Sequence, residues 1–227
     1  MSEEFKIEHN IDGFNITEFS NKHIYIFNDV LNNETCENII NEMNSFEYIN
    51  NTINDTNNVE CYECINYEHS DMPIFLKNVV QRIFNTMKQL KKITILGDTG
   101  IQLRKVYGTT ITHLDGVCTD LVKHPTYNIK IKNVRILTLV GVLNDDYDGG
   151  IYNFPDQNIK IKLKAGSILV FPPYFTHPHE VSSVIQNNKN NIKYRYIFSS
   201  WALDDFIYDI EFKKNEFSKI NNIVILK

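Results

Sequence analysis

The sequence predicts a mainly β fold with flanking helices (α+β). It predicts a jelly roll, or double-stranded β-helix, with N-terminal helices packed on one sheet. Two observations support this fold class. From Ile101 onward, short segments of alternating hydrophobicity are separated by turn residues, as in a jelly roll. Before that point, two segments carry apolar residues at helical spacing.

The length and composition suit one globular domain. The chain has 227 residues, of which 42% are hydrophobic and 22% charged, so it can bury a sizeable core. We predict a single domain over residues 1–227, with an N-terminal strand and supporting helices in 1–100, the jelly-roll core in 101–203 and a C-terminal extension in 204–227.

Charge and targeting signals narrow the function classes. A net charge of −5 gives no basic patch of the kind that nucleic acid requires, so nucleic acid is not an expected partner. The first residues lack the apolar segment of a signal peptide, and no apolar run is long enough to span a bilayer. We therefore expect a cytoplasmic or nuclear protein. Cys61 and Cys64 form a lone CxxC without the second pair that a zinc ribbon needs, and we expect ordinary thiols.

The first predicted elements are a strand and a helix. His23–Phe27 alternates and is rich in β-branched and aromatic residues, which favours a strand. Asn28–Asn33 is a predicted turn into a helix, capped by Asn33 or Thr35, with Glu37 in the first turn where the helix dipole favours an anion. The apolar residues at helical spacing are Cys36, Ile39, Ile40 and Met43.

A polar loop and a second helix follow. Asn50–Asn58 is Asn-rich and predicted to be a loop. Met72–Pro73 opens the second helix, since proline is tolerated in a first turn. We expect both helices to cover one face of a sheet and to support the site without forming it. The apolar stripe of the second helix consists of Ile74, Leu76, Val79, Val80, Ile83, Phe84, Met87 and Leu90.

The second half of the chain predicts the jelly-roll strands. Arg135–Asn144 is apolar almost throughout, which is typical of a central strand, whereas Ile159–Lys164 alternates and has one wet face. Val117–Lys132 is a predicted loop beside the site, long enough to form a lid or a substrate wall. Asn187–Asn191 is a predicted hairpin tip. The remaining predicted strands are Ile101–Tyr107, Ile111–Gly116, Ile151–Phe154, Ser167–Phe171, one beginning at His177, and Lys193–Trp201.

One tripeptide suggests a metal site. Residues two apart on a strand point to the same face, so His113 and Asp115 would offer an imidazole and a carboxylate together. A second histidine from a later strand would complete the two-His, one-carboxylate facial triad of non-haem Fe(II) oxygenases, which leaves coordination positions open. His-x-Asp is frequent by chance, so its sequence context decides.

That context resembles the Fe(II)- and 2-oxoglutarate-dependent dioxygenases, specifically the prolyl 4-hydroxylase-like group. The resemblance covers about Ile101 to Trp201. Each motif alone is weak, but together in the right order they are specific. The matching segments are His113–Asp115, Arg135–Asn144, Gly149–Gly150, Gly166–Phe171, His179–Val184 and Arg195–Tyr196.

The resemblance implies His113, Asp115 and His179 as iron ligands. His177 competes for the third place, but His179 fits better because it directly precedes the Glu-Val of the motif.

The resemblance also implies a cosubstrate anchor. Arg195 matches the position that binds the distal carboxylate of 2-oxoglutarate, and a guanidinium suits a carboxylate because it donates two parallel hydrogen bonds. Lys193, two residues earlier on the same face, is the alternative. Val142 replaces a family tyrosine that often touches 2-oxoglutarate, and Tyr107 is the expected source of that hydroxyl.

Further departures from the family pattern remove none of the implied iron ligands. Ile151 follows the Gly-Gly where the family commonly has glutamate, and Ser183 stands where proline is typical. The segment between Tyr107 and His113 is shorter than usual, and the hairpin between His179 and Arg195 is longer.

The activity that the resemblance implies is oxidative. The cofactors would be Fe(II), 2-oxoglutarate, O2 and ascorbate, and the products succinate, CO2 and a hydroxylated substrate. The favoured substrate is a prolyl residue in a peptide or protein, as in procollagen-type or protein prolyl 4-hydroxylases, with a lysyl residue or a small molecule as alternatives, because fold and triad do not fix the substrate. Two other classes stay open: a zinc hydrolase or isomerase with the same triad, which would not need Arg195, and a binding module without catalysis.

Overall fold

The computed structural model describes residues 6–45, 48–51, 61–64, 72–116, 122–123, 130–185 and 193–209. Its first part holds five strands and both helices. These elements are β1 (Lys6–Ile11), β2 (Phe14–Phe19), β3 (Ile24–Asn28), α1 (Asn33–Ser45), β4 (Tyr48–Asn51), β5 (Cys61–Cys64) and α2 (Met72–Lys91).

The second part consists of strands. They are β6 (Gly97–Asp98), β7 (Gln102–Val106), β8 (Thr110–His113), β9 (Val122–Lys123), β10 (Lys130–Val142), β11 (Tyr152–Phe154), β12 (Ile159–Ile161), β13 (Ile168–Phe171), β14 (His179–Val181) and β15 (Arg195–Asp209). Among the described residues, no helix is long and apolar enough to cross a membrane.

Two antiparallel sheets build the predicted jelly roll. The larger has the order β1-β2-β3-β13-β10-β15-β7-β5-β4, and the smaller has the order β12-β11-β14-β8. Strands β13, β10, β15 and β7 face the smaller sheet across a shared apolar interior, which confirms the fold class. The buried residues of this interior are Phe19, Ile24, Val106, Val140, Val142, Tyr152, Phe154, Ile159, Ile161, Leu163, Leu169, Phe171, Val181 and Ile197.

The central strand β10 separates two cores. Val140 and Val142 point into the jelly roll, whereas Leu137 and Leu139 point to the opposite face. On that face the helices pack, with Met43 of α1 and Ile83 of α2 fully buried in the second core. A strand buried on both faces needs a nearly continuous apolar sequence, which explains the pattern of β10. The predicted packing of both helices on one face of a sheet is confirmed.

An N-terminal hairpin was not predicted. Strands β1 and β2 pair through a two-residue turn, Asp12–Gly13, in which both residues have positive φ values of 54° and 80°. This geometry matches the right-handed twist of a hairpin and is the reason for the Asp-Gly preference at such turns. Most residues of β1 are exposed, so the strand lacks the apolar alternation that identifies a half-buried strand.

Several predicted boundaries are wrong by a few residues. The cap of α1 is Asn32, not Asn33 or Thr35, because Asn32 Oδ1 accepts a 2.8 Å hydrogen bond from the Thr35 amide. Strand β8 ends at His113, short of the predicted Gly116.

Other strands extend further than predicted or lie inside a predicted loop. Strand β15 continues past Trp201 to Asp209, because it pairs with the long β10 from Ile197 to Asp209. Strand β4 takes in the first residues of the predicted Asn50–Asn58 loop, and β9 lies within the predicted loop Val117–Lys132. The rest of the Asn50–Asn58 loop and the Asn187–Asn191 tip lie outside the described residues.

Candidate active site

Three side chains from two strands of the smaller sheet converge at one end of the jelly roll. His113 ends β8 and His179 begins β14, and the two are partners in the antiparallel register, with ring centroids 4.3 Å apart. Asp115 lies just beyond β8, with Oδ1 3.4 Å from His113 Nε2 and Oδ2 3.7 Å from His179 Nε2. One ligand atom from each residue lies within 4.8 Å of the others, so the three could hold a single metal ion.

The imidazoles are oriented by backbone carbonyls. His113 Nδ1 lies 2.9 Å from the oxygen of Ile111, and His179 Nδ1 lies 3.2 Å from the oxygen of His177. Because a carbonyl only accepts hydrogen bonds, both Nδ1 atoms carry the proton, and the Nε2 lone pairs are free to bind a cation. Hydrogen bonding of the second ring nitrogen is typical of histidines that bind metals.

Apolar packing fixes one of the two rings. His179 is only 4% exposed. Phe154 stacks on it with ring centroids 5.6 Å apart, and Phe171 contacts it edge-on at 4.7 Å. The ring therefore has little rotational freedom, which favours a pre-organised site.

Asp115 is held as an anion. The hydroxyl of Thr138 donates a 2.8 Å hydrogen bond to its Oδ2, and Arg135 Nη1 donates to its backbone oxygen at 3.1 Å. Burial alone would raise the pKa of Asp115, but the interaction with His113, the charges of both histidines and the Thr138 hydroxyl outweigh it and lower the pKa to about 2. The carboxylate is therefore ionised at neutral pH, as a metal ligand must be.

The two histidines differ in proton affinity. Burial lowers the pKa of His179 and outweighs the nearby charge of Asp115, which would raise it. Burial also opposes protonation of His113, but its hydrogen bond and ion pair with Asp115 prevail and raise its pKa. In the absence of a cation, a proton would therefore bind at His113 first.

His177 has a structural position. It is 3% exposed, its Nε2 donates to the backbone oxygen of Lys22 at 2.7 Å, and its Nδ1 lies 2.9 Å from the Thr176 hydroxyl. Both ring nitrogens are thus engaged away from Asp115, and the structure groups His179, not His177, with the other two residues.

A buried guanidinium lies on the interior face of β15. Arg195 is 3% exposed, and its Nε and Nη1 atoms are buried without a hydrogen-bond partner. Its guanidinium carbon lies 5.2 Å from the centroid of the Tyr152 ring. Lys193, in contrast, is exposed and pairs with Asp146. Of the two candidate anchors, Arg195 alone is directed into the jelly roll.

Sequence reasoning missed the tyrosines beside Arg195. The Tyr152 hydroxyl is buried without a hydrogen-bond partner. Burial raises the pKa of Tyr152, while the charge of Arg195 opposes the rise. The pKa of Tyr147 is raised for the same reason and opposed by the same charge. The alternation Tyr152–Asn153–Phe154 could have revealed one of them, because Phe154 faces the interior and Tyr152 shares its face.

Tyr107 packs elsewhere. Its ring contacts Tyr194 edge-on at 5.7 Å, and Tyr194 in turn neighbours Tyr196, which lies against the helix-side core. The structure does not group Tyr107 with Arg195, and its predicted contact with 2-oxoglutarate stays a prediction.

The donor set fits the expected groups. Two neutral imidazoles and one carboxylate suit a divalent transition metal with open coordination positions. The buried guanidinium of Arg195, whose Nε and Nη1 lack hydrogen-bond partners, suits a carboxylate, because a buried charge without compensation is strongly unfavourable. Both features lie within the same jelly roll.

No protein-family model matches this sequence, and no curated protein matches it. The fold is nevertheless shared with solved structures of low sequence identity. A viral collagen prolyl hydroxylase from Paramecium Bursaria Chlorella virus-1, in complex with 2-oxoglutarate, aligns with a TM-score of 0.57 at 20% identity, covering 81% of this chain and 97% of that one.

Two further solved structures share this fold. A prolyl hydroxylase from Trichoplax adhaerens, in complex with a peptide fragment of the hypoxia inducible factor oxygen degradation domain, aligns with a TM-score of 0.59 at 18% identity, covering 81% of this chain and 84% of that one. A Pseudomonas putida prolyl 4-hydroxylase aligns with a TM-score of 0.56 at 15% identity, covering 79% and 91%. The chain therefore shares the jelly-roll fold of these solved prolyl hydroxylase structures.

Proposed function

We propose that this protein is an Fe(II)- and 2-oxoglutarate-dependent dioxygenase that hydroxylates a prolyl residue of a peptide or protein. One observation carries the proposal: a His-Asp-His triad and a buried guanidinium whose Nε and Nη1 lack hydrogen-bond partners lie inside the same jelly roll. A triad alone would also suit a hydrolytic zinc enzyme. The buried cation favours an enzyme whose cosubstrate brings its own carboxylate.

His113, Asp115 and His179 would hold the iron. Each histidine would bind through Nε2, because its Nδ1 donates to a backbone carbonyl. Asp115 would bind as a carboxylate, kept ionised and oriented by Thr138. Three protein ligands on one side of the metal leave positions open for cosubstrate and O2.

Arg195 would bind the distal carboxylate of 2-oxoglutarate. Leaving a buried charge without a partner costs on the order of 3–5 kcal/mol, and a carboxylate bound against the guanidinium would reduce that cost. The buried hydroxyls of Tyr152 and Ser199 also lack partners, and Ser199 shares the interior face of β15 with Arg195. We assign both hydroxyls to the cosubstrate site, and Tyr107 remains the alternative tyrosine.

The proposed hydroxylation chemistry would depend on the bound iron and 2-oxoglutarate. Iron and 2-oxoglutarate would supply the oxidation by O2, which yields succinate, CO2 and a hydroxylated substrate. The chain itself positions these groups and keeps water away from them. Phe154 and Phe171 cover the His179 side of the site, and the apolar interior of the jelly roll encloses Arg195.

The prolyl substrate is supported by the structural neighbours. They include a collagen prolyl hydroxylase and a prolyl hydroxylase bound to a peptide. A peptide or protein that contains proline is therefore the substrate class we propose.

The test is succinate formation from 2-oxoglutarate by the full-length protein with Fe(II) and ascorbate, screened against a panel of proline-containing peptides. We expect succinate release to rise with at least one peptide, and the mass of that peptide to increase by one oxygen atom. Peptides with alanine in place of proline are the control. Absence of 2-oxoglutarate binding by the metal-loaded protein would refute the proposal.

A further inference from the structure

A short loop that follows the central strand β10 contacts the backbone on both sides of Arg195. Asn144 begins this loop, which spans residues 144–150. The Nδ2 of Asn144 donates to the backbone oxygen of Tyr194 at 2.9 Å, and its Oδ1 accepts a hydrogen bond from the backbone amide of Tyr196 at 2.9 Å. One side chain thus holds the two residues between which Arg195 lies on β15.

The same loop carries a buried aromatic ring within electrostatic reach of the guanidinium. Tyr147 is 6% exposed. The charge of Arg195 opposes the rise that burial causes in the pKa of Tyr147 and of Tyr152. The guanidinium carbon lies 5.2 Å from the centroid of the Tyr152 ring. The 144–150 loop therefore borders the guanidinium of Arg195 as well as its backbone.

A lysine outside the loop holds the middle of it. Lys162 directly follows β12, and its Nζ donates to the backbone oxygens of Tyr147 at 2.8 Å and of Gly149 at 2.7 Å. The Nζ atom also lies 3.6 Å from the centroid of the Tyr147 ring. Hydrogen bonds donated by an ionised group are stronger than neutral ones, and a cation over an aromatic ring adds further attraction.

The other side of the loop packs tightly against residues 183–185. Gly149 has a φ of 80°, and a Cβ at this position would collide with the backbone oxygen of Ser183. The amide of Ile185 donates to the backbone oxygen of Asp148 at 2.9 Å. The loop is therefore held from two sides, and removal of the Lys162 ammonium would leave only one of them.

We propose that Asn144 and Lys162 are positioning residues for Arg195. Asn144 fixes the backbone that carries the guanidinium, and Lys162 keeps the 144–150 loop packed beside it. The inference rests on the proposed function, in which Arg195 binds the distal carboxylate of 2-oxoglutarate. A guanidinium donates two parallel hydrogen bonds to a carboxylate only in a narrow range of orientations, so neighbouring contacts that fix this orientation should raise the affinity for the cosubstrate.

The first test needs neither metal nor cosubstrate. Hydrogen exchange of the full-length protein, followed by mass spectrometry, reports how often local segments open. Asn144→Ala should raise exchange in the peptide that contains Tyr196, because the amide of Tyr196 loses its acceptor. Lys162→Met should raise exchange across the 144–150 loop. Unchanged exchange in both variants would overturn the proposal.

The second test is binding of 2-oxoglutarate to the Fe(II)-loaded protein in the absence of O2. We expect each variant to bind 2-oxoglutarate about tenfold or more weakly. The dissociation constant for Fe(II) should not change, because the triad is held by other contacts, from Thr138 and from the carbonyls of Ile111 and His177. Lys162→Arg, which keeps a cation with several donors, should restore part of the affinity for 2-oxoglutarate.

Turnover separates positioning from chemistry. If the lost contacts act on cosubstrate binding, the KM for 2-oxoglutarate should rise about tenfold in both variants while kcat changes little. A fall in kcat at unchanged KM would contradict the proposal.

Asn28→Ala and Lys164→Met are the matched controls. Asn28 also joins neighbouring strands through its side-chain amide, which donates to Thr17 Oγ1 at 3.0 Å, but it lies on β3, two strands away from β10. Lys164 is exposed two residues beyond Lys162. We expect both control variants to bind 2-oxoglutarate like the unsubstituted protein.

A purely structural role gives a different result. If the melting temperature of the Asn144 and Lys162 variants falls while their affinity for 2-oxoglutarate stays unchanged, the two residues only stabilise the fold and the positioning role is wrong. This outcome is distinguishable from failure of the proposed function, in which the unsubstituted protein itself would not bind 2-oxoglutarate.

Discussion

The hydroxyl of Thr138 donates a 2.8 Å hydrogen bond to Oδ2 of Asp115. This bond joins the central strand β10 to the segment just beyond β8, where no backbone ladder holds the carboxylate. Gly116 follows, and a Cβ there would lie 2.6 Å from Tyr174 Cδ1, so the chain passes close to that ring. Asp115 is thus positioned by a side-chain contact and tight packing, not by regular strand geometry.

Replacing Thr138 by valine should weaken metal binding. The substitution keeps the volume but removes the hydrogen bond that orients Asp115, and loss of such a contact typically costs about 10–100-fold in metal affinity. The dissociation constant would be measured by anaerobic titration with Fe(II). Thr17→Val is the control, because its hydroxyl donates a similar 3.0 Å bond to the Glu8 carboxylate far from the site. Equal affinity in both variants would show that Thr138 does not position the ligand.

Each triad residue should be necessary for turnover. His113→Ala, Asp115→Ala and His179→Ala each remove one of three side chains that could hold the metal, and we expect 2-oxoglutarate turnover to be abolished. Succinate release would be measured under saturating Fe(II), with circular dichroism as a check on folding. Full activity in any one variant would refute the assignment of that residue.

Replacing Arg195 by methionine should have opposite effects on the free and the ligand-bound protein. In the free protein, it removes a buried charge whose Nε and Nη1 lack partners, so the melting temperature should rise. With 2-oxoglutarate, the variant should lose its stabilisation by the ligand, and binding should weaken by about 2–5 kcal/mol.

Thermal melts with and without 2-oxoglutarate measure both effects. Lys193→Met is the matched control, because Lys193 is exposed and pairs with Asp146, and we expect the variant to bind 2-oxoglutarate normally. A weakened Lys193 variant beside an unaffected Arg195 variant would reverse the assignment of the anchor.

His177→Ala should affect stability and not metal binding. The substitution removes the bonds of His177 to the Lys22 carbonyl and the Thr176 hydroxyl, and a buried group left unsatisfied costs about 1–3 kcal/mol. Urea unfolding measures that loss, and Fe(II) titration should give an unchanged dissociation constant. Loss of metal binding without loss of stability would instead identify His177 as a ligand.

Local hydrophobic patterns were sufficient to predict the elements that are buried on one face or on both faces. The apolar run of β10 follows from burial on both faces, and the stripe of α2 from burial on one. The order of the motifs along the sequence identified the three triad residues, His113, Asp115 and His179. The register of β8 and β14 then brings them together.

Contacts between strands that are distant in sequence could not be predicted in the same way. The approach of Tyr152 to Arg195 depends on how the two sheets face each other, and no spacing within either strand encodes it. The same holds for Arg135 and Trp201, which a bulge in the pairing of β10 and β15 places near each other. Side-chain periodicity predicts a face, whereas partners across the interior follow from the packing of the whole fold.

Acid should destabilise the N-terminal hairpin through Glu18, which is 7% exposed and contacts His9 at 2.8 Å and Lys91 at 2.6 Å. Burial would raise the pKa of Glu18, but the bonds to Lys91 and His9 outweigh it and lower the pKa below its usual value. A carboxyl with a lowered pKa in the folded state contributes stability above its unfolded pKa of about 4.3 and loses it as the pH falls through the folded value.

The Glu18→Gln variant should therefore unfold at a lower urea concentration than the unsubstituted protein near pH 7, and the difference should shrink below about pH 4. Glu8→Gln, which alters an exposed carboxylate on the same hairpin, is the control, and a Glu18 difference that persists undiminished in acid would contradict the electrostatic explanation.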